Sequence, residues 1–395
     1  MDGIVKTASK IAPPTSSIDE ATAHGKVTAE RVWDKGVRVF HWALVASVAG
    51  ALITGFVAPR PWLDLHLIFG TLVAALITYR LVWGFTGSTY ARFRSFIVGP
   101  WTALRYAINL VRGQAAHHIG HNPLGAVMIA SLLLVLLSLI ATGLIALGGA
   151  LKDGPLAPVM TYTVGALATQ LHEVLAFVLL GLIALHVLGV IIESLRTHEN
   201  LARSMVIGTK RMEHNAITYP DRKSWPKLTA TIFLTAAIAA SAATFTFSMQ
   251  PARGIAVAPL DQTYIKECGA CHTPHHPSLA TAATWTRIIA DANNHFGDNA
   301  ELEPVLAQTI QAYLVKNSAE NSDSKAAHIM RAPRDTTTLR ITDAKDWQRI
   351  HAQIPSTTFV AKVVSGKLNC AACHADASTG LFKPRSIAIP MENPK

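Results

Sequence analysis

Long uncharged runs crowd the chain between Val39 and Phe247, and polar stretches flank them on both sides. Five runs are long enough to cross a bilayer, which takes about 20 apolar residues as a helix. They cover roughly Val39–Ala58, Trp62–Val82, Leu124–Leu147, Leu171–Ile192 and Leu228–Phe247. From Pro251 onward the chain is polar, with helical periodicity around Thr284–Ala292, Glu303–Leu314 and Asp343–Ile354. The stretch from Asn317 to Thr338, rich in Ser, Ala and Thr, reads as a loop between two small halves. Residues 1–30 are polar, carry Pro13 and Pro14, and read as a disordered leader without a signal-peptide run.

Composition agrees with the pattern: half of the 395 residues are hydrophobic and only 15% are charged, lean for a soluble protein. The formal charge of +10 would suggest nucleic acid, but within the apolar region the basic residues gather in two segments between the runs. Arg92, Arg94, Arg105 and Arg112 lie between the second and third runs, and Arg196, Arg203, Lys210, Arg211, Arg222, Lys223 and Lys227 between the fourth and fifth. Basic loops stay on the cytoplasmic side. The expected topology therefore has a cytoplasmic N-terminus, residues 250–395 in the periplasm of a bacterial inner membrane, and no nucleic-acid partner. The loop from Gly148 to Gln170 holds only Lys152 and Asp153.

All four cysteines fall in two copies of one motif, Cys268-Gly-Ala-Cys271-His272 and Cys370-Ala-Ala-Cys373-His374. A zinc site or a thioredoxin-like pair would not require a histidine directly after each pair. Cys-x-x-Cys-His is the attachment signal of c-type haem: the thiols bond covalently to the porphyrin edge and the histidine reaches the iron. Candidates for the opposite axial position are His275, His276, His295, His328, His351 and Met330. Residues 261–390 resemble the dihaem cytochrome c family through both motifs, His295-Phe296-Gly297, Trp347 with His351, and Gly380-Leu381-Phe382. The resemblance implies histidine on both faces of each iron and points to His295 and His351. Proximity suggests His295 for the first haem and His351 for the second, with a crossed pairing left open.

A histidine inside a membrane run is costly without a partner, and there are four: His41, His66, His172 and His186. His172 and His186 are separated by about 21 Å along one helix and lie on nearly the same face. Depth then pairs His41 with His186 near the inner surface and His66 with His172 near the outer one, a pattern suited to two bis-histidine b-type haems. Arg38 and Arg80 could meet haem propionates or serve as boundary anchors. Residues 31–225 resemble the bacterial cytochrome b-561 and nickel-hydrogenase cytochrome b family. The matching pieces are Arg38-Val39-Phe40-His41-Trp42, Arg80-Leu81-Val82-Trp83-Gly84-Phe85, Gly120-His121-Asn122-Pro123-Leu124-Gly125, and His172-Glu173 followed by His186.

The expected protein is all-α: a transmembrane four-helix dihaem cytochrome b bundle over 31–225, a fifth tethering helix over 226–250, and a small, mostly helical dihaem cytochrome c domain over 251–395. With two haem b and two covalent haem c it would pass electrons between membrane quinone and a periplasmic cytochrome or redox enzyme, as a quinol:cytochrome c type oxidoreductase or a plain carrier. Alternatives are a haem anchor and conduit for a separate enzyme such as a hydrogenase, or an oxidoreductase of superoxide or another small molecule. A homodimer or larger complex is left open.

Overall fold

The structure, a computed structural model, describes residues 29–57, 62–116, 118, 120–211, 222–256, 258–331 and 339–390. Five long helices correspond to the five apolar runs: α1 (Lys35–Phe56), α2 (Leu63–Thr86), α4 (Pro123–Gly149), α5 (Tyr162–Thr197) and α7 (Pro226–Ser248). Their starts are written in the sequence. Asp34 accepts the Val37 amide at 2.8 Å, Asn122 accepts that of Gly125 at 2.7 Å, and Pro123 and Pro226 occupy first helical positions. α5 has 36 residues, starting nine before the apolar run and ending five after it. The chain is therefore a multi-pass membrane protein, with apolar side chains such as Leu134, Leu167 and Phe177 facing outward.

α1, α2, α4 and α5 enclose one buried cluster, Val48, Val73, Ile77, Leu136 and Leu179. α7 stays outside this core. It packs on α2, its one buried residue, Thr229, meeting Thr86 with their hydroxyl oxygens 2.6 Å apart. At one end, here the ribbon end, α3 (Pro100–Val111) and α6 (Leu201–Ile207) join strands β1 (Ala29–Arg31) and β2 (Thr209–Arg211), which pair antiparallel. The fold is mostly helical, as expected, and this three-residue ribbon is a local addition in which two extended backbones satisfy each other's amides. It also takes Ala29 and Glu30 out of the expected leader; the remainder of that leader lies outside the described residues.

The opposite end, the docking end, carries the segment 150–161 and the C-terminal part. That part contains α8 (Gln262–Cys268), α9 (Ala282–Ala290), α10 (Pro304–Lys316), α11 (Lys325–Met330), α12 (Lys345–His351) and α13 (Ser356–Val360). The expected loop over Asn317–Thr338 is corrected: Ala319, Ala327 and Met330 are buried in the core with Tyr264, Trp285, Ile310 and Leu314. Small side chains that resemble a linker in composition are here what lets α11 pack closely. The Ser324 hydroxyl caps that helix by accepting the Ala327 amide. Residues 332–338 lie outside the described part.

The C-terminal part is bolted to the bundle rather than only tethered. Lys152, with its side chain 1% exposed, donates to the carbonyls of Met160 and Arg253 at 3.0 and 3.1 Å and to the Asp323 carboxylate at 2.6 Å. The same carboxylate accepts the Tyr162 amide at 2.9 Å and bonds His328 Nε2 at 2.9 Å. Arg385 bridges Asp153 at 3.0 Å and Asp64 at 3.6 Å.

Candidate haem-binding sites

At the docking end, His66 of α2 and His172 of α5 face each other with ring centres 6.1 Å apart. Imidazoles bonded to one metal at about 2 Å, each ring centre about 1 Å behind its nitrogen, stand about 6 Å apart. His66 Nδ1 lies 3.0 Å from the Ala51 carbonyl and 3.3 Å from Thr54 Oγ1. His172 Nδ1 lies 3.1 Å from the Leu139 carbonyl and 3.1 Å from Thr142 Oγ1. A carbonyl only accepts, so each Nδ1 carries the proton and Nε2 keeps the lone pair that ligates. The donor set and the spacing both fit a bis-histidine haem.

His41 of α1 and His186 of α5 lie at the ribbon end, within electrostatic reach of each other. His41 Nδ1, Arg38 Nε and Arg80 Nη1 are buried without a hydrogen-bond partner among the described residues. Two inward guanidiniums with unused donors suit haem propionates. Arg80, expected as either a boundary anchor or a propionate partner, is 5% exposed and stacks 4.7 Å over Phe93. His121, one of three histidines in the basic loop, is half-buried between Trp33 and Phe96 at ring distances of 4.7 and 4.9 Å. Burial first, then Arg80, Lys210 and His186, pushes it down to about 3. His117 lies outside the described residues.

In the C-terminal part, α8 ends on Cys268, and Cys271 and His272 follow in a turn. Cys370 opens a short turn whose backbone folds back, the His374 amide donating to the Cys370 carbonyl at 2.9 Å. His272 pairs with His295 at 6.3 Å, the rings nearly parallel at 12°. His374 pairs with His351 at 6.2 Å. Both spacings match the membrane pair. His272 Nδ1 is held by the Thr273 carbonyl at 2.9 Å and His351 Nδ1 by the Trp347 carbonyl at 2.8 Å. The geometry thus groups the histidines without a crossed pairing.

The other axial candidates have different company. His276 Nδ1 bonds Ser278, His328 bonds Asp323, and Met330 lies in the core. His275 sits between the two sites, 5.0 Å from the His272 ring and with Nδ1 4.0 Å from Cys370 Sγ. Burial pushes His275 and His276 down to about 4, with His272 and His295 adding to the effect at His275. A cavity of about 230 Å³ opens here between His275, His276, Cys370 and Phe382. Burial, with Glu267 adding, pushes the Cys268 thiol up to about 11, and burial raises Cys370 and Cys373. A dithiol redox pair needs the opposite shift. Among the described residues no three His, Cys, Asp or Glu side chains converge as a closed zinc site requires.

The sequence reading missed Thr54, Thr142 and the Lys152–Asp323 bolt. One signal was visible: Thr54-Gly55 and Thr142-Gly143 repeat the same dipeptide in the first and third runs. The glycines let the imidazoles lean onto the neighbouring helix, since a Cβ would stand 3.2 Å from His66 and 3.3 Å from His172.

Two family models match the chain, prokaryotic cytochrome b561 over residues 32–208 and dihaem cytochrome c over residues 264–382. The first part is similar to a probable Ni/Fe-hydrogenase 1 B-type cytochrome subunit of Escherichia coli (strain K12), 25% identical over 142 residues and 30% of this chain. A probable Ni/Fe-hydrogenase B-type cytochrome subunit of Rhizobium leguminosarum bv. viciae is 29% identical over 26% of this chain. The chain spans 60% and 55% of those relatives' lengths. The second part is similar to a diheme cytochrome c from Rhodobacter sphaeroides, with 37% identity, 32% of this chain, 99% of that one and a TM-score of 0.28. A diheme cytochrome of type c from Shewanella baltica OS155 gives 30% identity, 34% and 95% coverage, and a TM-score of 0.27.

Proposed function

Since its C-terminal part belongs to the dihaem cytochrome c family and its membrane part matches the prokaryotic cytochrome b561 family, we propose that this protein carries electrons between membrane quinone and a periplasmic redox partner. Membrane electron transfer of the cytochrome b561 type, with b-type and c-type haem, is the common ground; two of each is the proposed count. Bound haem supplies the one-electron carrier, and the chain supplies ligation, spacing and tuning. His41 and His186 would hold the inner b-haem, with Arg38 and Arg80 beside its propionates. His66 and His172 would hold the outer one. Cys268, Cys271, His272 and His295 would hold the first c-haem, and Cys370, Cys373, His374 and His351 the second. The working domain division is 31–225, 226–250 and 251–395, with the basic loops cytoplasmic.

The observation that carries this reading is the continuity at the docking end. Asp64, two positions before His66, pairs with Arg385, and Phe382 of the same loop lies 5.1 Å from the His374 ring. The helix that carries His66 and the loop beside the second motif are therefore joined through Arg385, which supports the second c-haem as the entry to the C-terminal part. The test is haem quantification with a spectroscopic redox titration of the purified protein. After acid–organic extraction, c-type haem stays with the chain and b-type haem leaves, in a ratio of one; another ratio ends the two-plus-two count. The likeness to hydrogenase cytochrome subunits favours a second reading, a conduit serving a separate large enzyme. A large subunit that co-purifies in mild detergent would select it.

A further inference from the structure

The outer membrane pair is held by a device that the chain contains twice. His66 leans from α2 onto α1, and His172 leans from α5 onto α4, each over a Thr-Gly pair. Thr54 Oγ1 donates to the Gly50 carbonyl at 2.7 Å, and Thr142 Oγ1 donates to the Ser138 carbonyl at 2.8 Å. With the hydroxyl proton spent on its own helix, each oxygen turns a lone pair toward the imidazole Nδ1–H. That proton is shared with the carbonyl three residues before the threonine, Ala51 in one case and Leu139 in the other. The two helices thus present the same pair of acceptors to two histidines from different helices.

We propose that Thr54 and Thr142 are positioning residues that fix the tautomer and ring plane of His66 and His172 and thereby lower the reduction potential of the outer membrane site. Hydrogen bonding at the far nitrogen makes an imidazole a more basic ligand and orients it. A more basic ligand favours the ferric ion. His41 Nδ1, by contrast, is buried with no partner among the described residues. The device therefore separates the two membrane sites in potential, not only in depth.

The inference rests on the reading of a haem between His66 and His172, so the test scores haem first and potential second. Thr54→Val and Thr142→Val keep the branched shape and remove the acceptor. At a fixed ambient potential each raises the reduced-to-oxidised ratio of the outer b-haem about threefold, and the pair about tenfold, or about 59 mV for a one-electron couple. The inner b-haem does not move, and Thr54→Ser and Thr142→Ser return the outer site to its original potential. An outer potential that stays fixed or falls in the valine variants, or that serine does not restore, overturns the clamp while the haem reading stands. A His66→Ala protein, with both threonines intact, that loses no b-haem overturns both. Should Thr142→Val fail to assemble, Thr54→Val and Thr142→Ser decide the question alone.

Discussion

The membrane bundle and the C-terminal part present histidine pairs at the same spacing, 6.1 Å against 6.3 and 6.2 Å, but assemble them differently. In the C-terminal part the cysteines, the adjacent histidine and the opposite histidine come from one short stretch: His295 follows His272 by 23 positions, and His351 precedes His374 by 23. In the bundle, His66 and His172 are 106 positions apart and meet because α1, α2, α4 and α5 share one core. One site type is written locally and, on the proposed reading, would be secured by covalent bonds; the other is a product of helix packing.

Removing one histidine from each type should separate the two most strongly. His66→Ala leaves the outer b-haem without a bond to α2, and that haem is lost, while both c-haems stay attached and their reduction by a quinol analogue slows more than tenfold. His351→Ala leaves the second c-haem covalently bound and changes only its ligation, visible in the ferric spectrum. Haem-stained gels and difference spectra read both. Retention of all b-haem in His66→Ala would remove the outer pair as a ligand set.

The same difference explains what the sequence could reveal. The Cys-x-x-Cys-His motifs are contiguous, so the chemistry is legible in five residues. The membrane histidines stood out because an imidazole is conspicuous in a run of Leu, Val and Ala, and of the pairs expected from depth the rings of His66 and His172 lie 6.1 Å apart. Second-layer partners were hidden: Thr54 and Thr142 look like ordinary small residues in an apolar helix until His66 and His172 arrive from other helices. Lys152 looked like a loop cation because its partner Asp323 is 171 positions away. Ala319 and Ala327 looked like linker because small residues serve loops and tight cores alike.

A smaller effect tests whether the two parts act as one body. Lys152→Met removes the cation that joins Met160, Arg253 and Asp323. Breaking a buried pair costs about 3–5 kcal/mol, and about 2 kcal/mol is expected here because the Asp323 side chain is one-fifth exposed. Haem content and spectra stay as in the wild type, while proteolysis near Pro251 accelerates and c-haem reduction slows severalfold. Unchanged cleavage and reduction would mean that the tether alone sets the geometry.

The mildest test is acid. Burial alone would raise the Asp323 pKa, but the hydrogen bonds from Lys152, His328 and the Tyr162 amide, with the Lys152 charge, outweigh it and hold the carboxyl below its ordinary range. Those bonds favour the carboxylate, so their contribution is complete above the unfolded-state value and is lost as pH falls through the lowered folded one. Docking is therefore constant from pH 8 to about 5 and loosens only below about pH 4. Cleavage near Pro251, followed with an acid-tolerant protease, should show this step, and Asp323→Asn should lack it because its amide cannot titrate. The same step in both proteins would take the switch off Asp323.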